Sequence, residues 1–306
     1  MDGGGKCFLI GYPVSHSLSP VMFQAAFRAL GLDWSYEAVP VPPGGAGEVL
    51  RGLGDEGALG VNVTMPLKQE VLAHAALVTP RARLVGAANT LTLLPGTGWE
   101  ADNTDWPGLG RAIAEVADRG RLAGGRGVVF GAGGAAAAAA FCLREMGLAV
   151  VVVNRDRSRG EELARRVGGW YLPWGDGALP DALAGAAVVV NATPLGMGDR
   201  TPGRAGEGPG SAAPAGRGDL RGDSPLPAEV SVAPGCVACD LVYHPVETEF
   251  LRRARAQGAL LVTGLAVLLW QGVLALERWT GRDAPVGVMR GALEGAVEGG
   301  RAPCVT

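Results

Sequence analysis

Short continuous apolar runs alternate along this chain with longer stretches whose apolar residues recur every three or four positions. The runs read as strands and the periodic stretches as helices. Residues 7–11 are the first apolar run. Pro13 and Pro20 mark a turn, a helix is expected from about Val21 to Leu30, and Gly31 ends it. A strand is expected at 34–41, a glycine-rich helix at 44–53 and a short strand from Gly60 to Thr64. Pro66 then opens a helix in which Lys68 falls in the first turn.

A second block begins near Trp106, with a helix over about 107–118 and a strand from Arg126 to Phe130. Gly131-Ala-Gly-Gly-Ala-Ala follows, and an alanine-rich helix runs to about Met146. Residues 149–153 are almost all valine, the pattern of a strand buried on both faces of a parallel sheet. A helix at about 158–167 and a strand at Ala187–Asn191 complete a βαβαβ succession. A strand at 237–243, a helix at about 247–257 and Val262 close the block. Two last helices, at about 264–279 and 285–297, are expected to return to the first block. Alternating strands and helices make this an α/β chain. Between them, Asp199 to Gly222 holds one leucine and otherwise mainly Gly, Ala, Pro and Arg. Such a segment cannot bury enough surface to offset its ordering entropy, and it reads as a disordered inserted loop.

Composition narrows the classes. With 306 residues and 48% hydrophobic content, two ordinary domains can each bury a core. The net charge of −3 argues against nucleic acid as a partner. No signal peptide and no apolar run of membrane length is visible, so a soluble, cytoplasmic protein is expected, with no membrane partner. The five cysteines are scattered. Cys236 and Cys239 have the spacing of half a zinc site, but the second half is missing and His16, His74 and His244 show no ligand spacing. They read as buried thiols, and no metal is expected.

Candidate chemistry starts from an asymmetry: two lysines against twenty-five arginines. Arginine stays charged, whereas lysine can release a proton when its surroundings lower a pKa of about 10.4. Lys68 is therefore a candidate proton carrier. Gly131, Gly133 and Ala136 fit a dinucleotide fingerprint placed between a strand and a helix, which also brings in Ala132, Gly134 and Ala135. At the end of the next strand, Asn154 stands where an NAD-selective acid would be. Arg155, Arg157 and Arg159 surround it and suit a 2′-phosphate, so NADP is expected. Asp156 is the dissenting charge. In the first block, Ser17 and Ser19 precede a helix and can offer neutral donors to a carboxylate. Asn62 and Thr64 point one way along a strand. Asn89, Thr90, Asn103, Thr104 and Asp105 add polar groups at loop positions.

Taken together, these motifs resemble the shikimate dehydrogenase family. They are His16-Ser-Leu-Ser-Pro20, Asn62-Val-Thr-Met-Pro-Leu-Lys68, Gly86-Ala-Ala-Asn-Thr90, Asn103-Thr-Asp105, Gly131-Ala-Gly-Gly-Ala135, Asn191-Ala-Thr-Pro-Leu-Gly-Met197, Asp240-Leu-Val-Tyr-His-Pro245 and Gly264 through Gln271. They occur in the family's order. The resemblance implies a substrate domain with a mixed sheet (1–106), a Rossmann-like NADP domain (107–263) and C-terminal helices (264–306) packing back on the first. It implies reversible reduction of 3-dehydroshikimate to shikimate, with Lys68 and Asp105 as the catalytic pair. Ser17 and Ser19 would hold the carboxylate, while Asn62, Asn89, Asp105 and Gln271 would bind hydroxyls, with Thr64 and Tyr243 nearby. Thr193 and Gly264 would join the cofactor site, and the assembly would be a monomer or homodimer. Gln24, Asp156, Ala266-Val267 and the inserted loop depart from the family pattern. Competing expectations are a quinate/shikimate dehydrogenase with broader substrate or NAD use, a non-catalytic regulator on the same scaffold, and an amino-acid-type dehydrogenase. The last would want an arginine clamp, and the first-block motifs contain none.

Overall fold

The computed structural model describes residues 4–197, 224–227 and 229–299. The inserted loop expected at 199–222 lies outside these residues, as does Cys304. Six strands build a first sheet: β1 (Lys6–Gly11), β2 (Ser35–Pro40), β3 (Ala58–Val63), β4 (Leu77–Val78), β5 (Thr90–Leu94) and β6 (Gly98–Asp102). Their order is β2-β1-β3-β5-β6-β4. β1 pairs parallel with β2 and β3, and β5 runs antiparallel to β3 and β6, so the sheet is mixed. Helices α1 (Ser19–Ala29), α2 (Ala46–Asp55) and α3 (Pro80–Val85) connect these strands.

After α4 (Asp105–Ala114) and α5 (Arg119–Leu122), the second sheet follows: β7 (Arg126–Phe130), β8 (Ala149–Asn154), β9 (Trp170–Pro173), β10 (Ala186–Asn191), β11 (Val237–Asp240) and β12 (Leu260–Val262). The order β12-β11-β10-β7-β8-β9 is parallel throughout. Strand order reverses between β7 and β10, the place where open α/β sheets leave a crevice for a ligand. The flanking helices are α6 (Gly134–Glu145), α7 (Arg157–Val167), α8 (Leu179–Ala184) and α9 (Glu249–Ala256). Valines of β7, β8 and β10 feed separate apolar layers on the two faces of this sheet, which is why those strands read as unbroken apolar runs.

The last two helices are α10 (Gly264–Thr280) and α11 (Val286–Glu298). Val267 and Trp270 of α10 join the core of the second sheet, while Leu269, Val273 and Leu276 join that of the first. One helix thus belongs to both cores and couples the two lobes. α11 packs on α1.

Several expectations need correction. Pro66 does not open a helix. The Leu67 N–H closes a turn onto the Thr64 carbonyl, and the Lys68 carbonyl is taken by the Ala88 N–H at 2.7 Å. With that carbonyl committed to a neighbouring segment, the helical ladder cannot start there, and one 3₁₀ turn begins only at Glu70. Asp105 is the first residue of α4 rather than a loop residue, and the helix stops at Ala114. β3 ends at Val63, one residue before Thr64. β11 ends at Asp240, because the Asp240 carboxylate captures the Val242 N–H at 3.0 Å and turns the chain. β4, α3, β5, β6, β9 and α8 were not anticipated.

Candidate active site

The candidate site is built where the C-terminal end of β3, the segments before β5 and α4, and α10 converge. Lys68 Nζ meets Asp105 Oδ2 at 2.5 Å, with side chains only 18% and 16% exposed. The other Asp105 oxygen receives the Asn89 amide at 2.8 Å. Both oxygens are therefore engaged, and the carboxylate is oriented as well as paired.

Asn89 is the hub. Its Nδ2 also faces Thr104 Oγ1 at 2.9 Å and Gln271 Oε1 at 3.1 Å, while its Oδ1 accepts the Thr104 N–H at 2.7 Å. Gln271 reaches this point because α10 crosses α4 closely at Gly108. A Cβ on Gly108 would stand 2.8 Å from the Gln271 backbone nitrogen. Gly108 lies three residues after Asp105, on the same helix face. The segment leading to Asp105 is anchored by Asp102, which accepts from Thr79 Oγ1 (2.6 Å), the Asn103 N–H (2.8 Å) and Arg278 of α10 (3.3 Å). Arg278 also pairs with Glu100.

The network continues into the first sheet. Buried Asn62 donates to the Asn89 carbonyl at 3.2 Å and to Thr90 Oγ1 at 3.3 Å, and accepts from the Tyr36 hydroxyl at 2.8 Å. Ser17 Oγ accepts the Ser19 N–H at 3.2 Å, and no side chain caps α1. Thr64 donates its N–H to the Ile10 carbonyl at 2.9 Å. Tyr243, which follows β11 in the second lobe, packs against the first-lobe cluster containing Leu18 and Leu269. The structure thus brings Asn62, Asn89, Asp105, Lys68 and Gln271 into one hydrogen-bonded set, which the bonds of Ser17 and Ser19 given above do not join.

The dinucleotide segment lies at the strand-order reversal. Gly131 has φ +112°, and a Cβ there would press on the Ala192 carbonyl at 3.1 Å. Gly133 precedes α6 without a side-chain cap, and a Cβ on it would meet nothing within 4 Å. An open glycine before an uncapped helix N-terminus, bordered by Ala132 and Ala135, fits a pyrophosphate. Gly134 is a point of contact between the lobes: a Cβ there would lie 2.9 Å from Ala87 Cβ and 3.7 Å from Lys68 Cβ. Thr193 donates its hydroxyl to Asn191 Oδ1 at 2.6 Å. Asn191 in turn donates to buried Asp240 at 2.9 Å, and Thr248 donates to the same carboxyl at 2.5 Å. Burial pushes the Asp240 carboxyl up to about 6, against the opposing bonds from Thr248, Val242 and Asn191. Gly264 begins α10 pressed on the Val242 carbonyl.

At the end of β8 the arginines differ. Asp156 caps α7 by accepting the Arg159 N–H at 3.1 Å, and its other oxygen lies 3.7 Å from Arg159 Nε. Arg157 pairs with Glu161 at 2.7 Å. Arg155 is exposed and makes no ion pair among the described residues, and Asn154 donates to the Asp156 carbonyl. The dissenting acid is therefore engaged by its own helix, whereas Arg155 carries no such ion pair among the described residues.

Cys236 and Cys239 are buried and free, and burial raises both thiols, Cys236 to about 12. Among the described residues no three or more His, Cys, Asp or Glu side chains are grouped to hold a metal. No helix among them is long and apolar enough to cross a membrane. Sequence reasoning overlooked Tyr36, Asp102 and Arg278. Tyr36 carries only the signal of an aromatic residue in a strand, and Asp102 meets Arg278 across 176 positions.

The chain matches the family described as shikimate dehydrogenase substrate binding domain over residues 9–91, and the shikimate 5'-dehydrogenase C-terminal domain over 264–294. It is 38% identical to a shikimate dehydrogenase (NADP(+)) of Desulforamulus reducens over 303 residues, covering 96% of each chain. It is 42% identical over 287 residues to the Halobacterium salinarum protein of the same name, covering 93% of this chain and 97% of that one. Among solved structures it resembles shikimate 5-dehydrogenase from Thermus thermophilus in complex with NADP(H) and shikimate. There the identity is 38% and the TM-score 0.79, covering 95% of this chain and 99% of that chain.

Proposed function

The chain belongs to the shikimate dehydrogenase family, and from that premise we propose that it interconverts 3-dehydroshikimate and shikimate with NADP. NADP, when bound, supplies or removes the hydride at its nicotinamide ring. The chain's own part is to hold the acid, exclude water and move one proton. In the reductive direction the Lys68 ammonium gives its proton to the oxygen on substrate C3. In the oxidative direction the neutral amine takes it back. Asp105 orients that amine, and Asn89 keeps the carboxylate from turning. Ser17 and Ser19 receive the substrate carboxylate. Asn62, Asn89 and Gln271 receive hydroxyls, with Thr64 and Tyr243 alongside. Gly131 to Ala135 take the pyrophosphate, Arg155 takes the 2′-phosphate, with Asn154 and Arg159 beside it, and Thr193 and Gly264 border the nicotinamide end.

The observation that carries this reading is the 2.5 Å Lys68–Asp105 pair, tied through Asn89 to Gln271. It is tested by following nicotinamide reduction with shikimate and with quinate, each with NADP and with NAD. The highest kcat/KM is expected for shikimate with NADP. Preferential turnover of quinate with NAD overturns both assignments.

A further inference from the structure

We propose that Tyr36, which need not touch substrate, is a positioning residue whose phenol sets the orientation of the Asn62 amide. This rests on the assignment of Asn62 to a substrate hydroxyl given above. The ring is held rigidly. It is 1% exposed, stacks on Phe23 with centroids 4.3 Å apart and planes 5° apart, and has the Trp279 ring at 6.4 Å. Phe23 comes from α1 and Trp279 from α10, so two helices clamp a side chain that points from β2 into the base of the site.

The direction of each hydrogen bond follows from what each atom can do. The Asn89 carbonyl can only accept, so the Asn62 atom facing it is the amide nitrogen. Asn62 Oδ1 is then the atom facing Tyr36, and it too can only accept. The phenol proton is therefore committed to Asn62 at 2.8 Å. Burial holds the phenol's ionisation well above the usual tyrosine range, so it remains a neutral donor throughout.

One consequence follows. Asn62 cannot flip, because a flip would set its amide nitrogen against the phenol proton and its oxygen against a carbonyl. The amide that receives a substrate hydroxyl is thereby referenced to one fixed oxygen atom. Preorganisation of this kind lowers the cost of binding.

Tyr36→Phe keeps the ring and removes the hydroxyl. We expect KM for shikimate to rise about tenfold, the effect of one lost hydrogen bond to a buried group, with KM for NADP within twofold. A double-mutant cycle with Asn62→Ala distinguishes positioning from core packing. In the Asn62→Ala background, Tyr36→Phe should add less than twofold to the shikimate KM. An equal rise in both backgrounds, or an unchanged shikimate KM with a lowered melting temperature, overturns the proposal. If Asn62→Ala alone leaves the shikimate KM unchanged, the underlying site assignment fails as well. NADPH binding measured by fluorescence confirms that each variant is folded.

Discussion

Replacing Gly134 by alanine should separate the two lobes and slow catalysis while leaving the Lys68 amine and the Asp105 carboxylate chemically unchanged. The added Cβ would stand 2.9 Å from Ala87 Cβ and 3.7 Å from Lys68 Cβ. Non-bonded carbons settle at about 3.5–4.0 Å, so the pair must part by roughly 0.6–1 Å. Neither side can yield. Ala87 is fully buried and has no rotamer to change, and α6 behind Gly134 is buried from Ala136 to Leu143. The motion must therefore pass to the gap between Lys68 and the dinucleotide segment. Overpacking of this kind costs about 1–3 kcal/mol of stability. A displacement near 1 Å costs about 10²-fold in rate where reacting groups must align. We expect kcat with shikimate and NADP to fall 10- to 10²-fold. Gly133→Ala supplies the contrast: its Cβ meets no protein atom, so KM for NADP should rise while kcat changes less. A Gly134→Ala enzyme with kcat within twofold of the parent would refute this reasoning.

Two other variants test separate parts. Arg155→Ala should raise KM for NADP about tenfold and leave KM for NAD unchanged, since a charge-assisted bond to phosphate is lost. Arg159→Ala should do less, because Arg159 is already paired with Asp156; equal KM shifts for both cofactors contradict the assignment. Asp240→Asn tests the buried carboxyl. Its pKa in the fold, about 6, lies above its ordinary 3.8, so its contribution to stability is full below about pH 4 and is lost as pH rises through about 6. That elevation corresponds to about 3 kcal/mol. Denaturant titrations from pH 4 to 7 should show the variant gaining on the parent by an amount of that order; parallel curves would contradict it.

The parts of the fold that local pattern dictates were legible in the sequence. The valine runs of β7, β8 and β10 are buried on both faces, and α10 and α11 show sustained helical periodicity. The β5–β6 hairpin was overlooked although Thr90-Leu-Thr-Leu alternates and Pro95-Gly96 marks the turn; β4, with two residues, offers no pattern at all. Pro66 favours a helix start and so points to a helix around Lys68, whereas a tertiary bond from Ala88 decides otherwise. The site's residue types were visible as motifs. Its wiring was not, because Asn89 meets Gln271 across 182 positions and Tyr36 meets Asn62 across 26, distances that leave no local trace.

The assignment of Lys68 as proton carrier is tested most directly by kcat of Lys68→Arg at saturating shikimate and NADP. Arginine keeps the charge beside Asp105 but does not release its proton. The account predicts a fall of about 10²–10⁴-fold in kcat, with both ligands still bound. A kcat near that of the parent enzyme would remove Lys68 from the reaction.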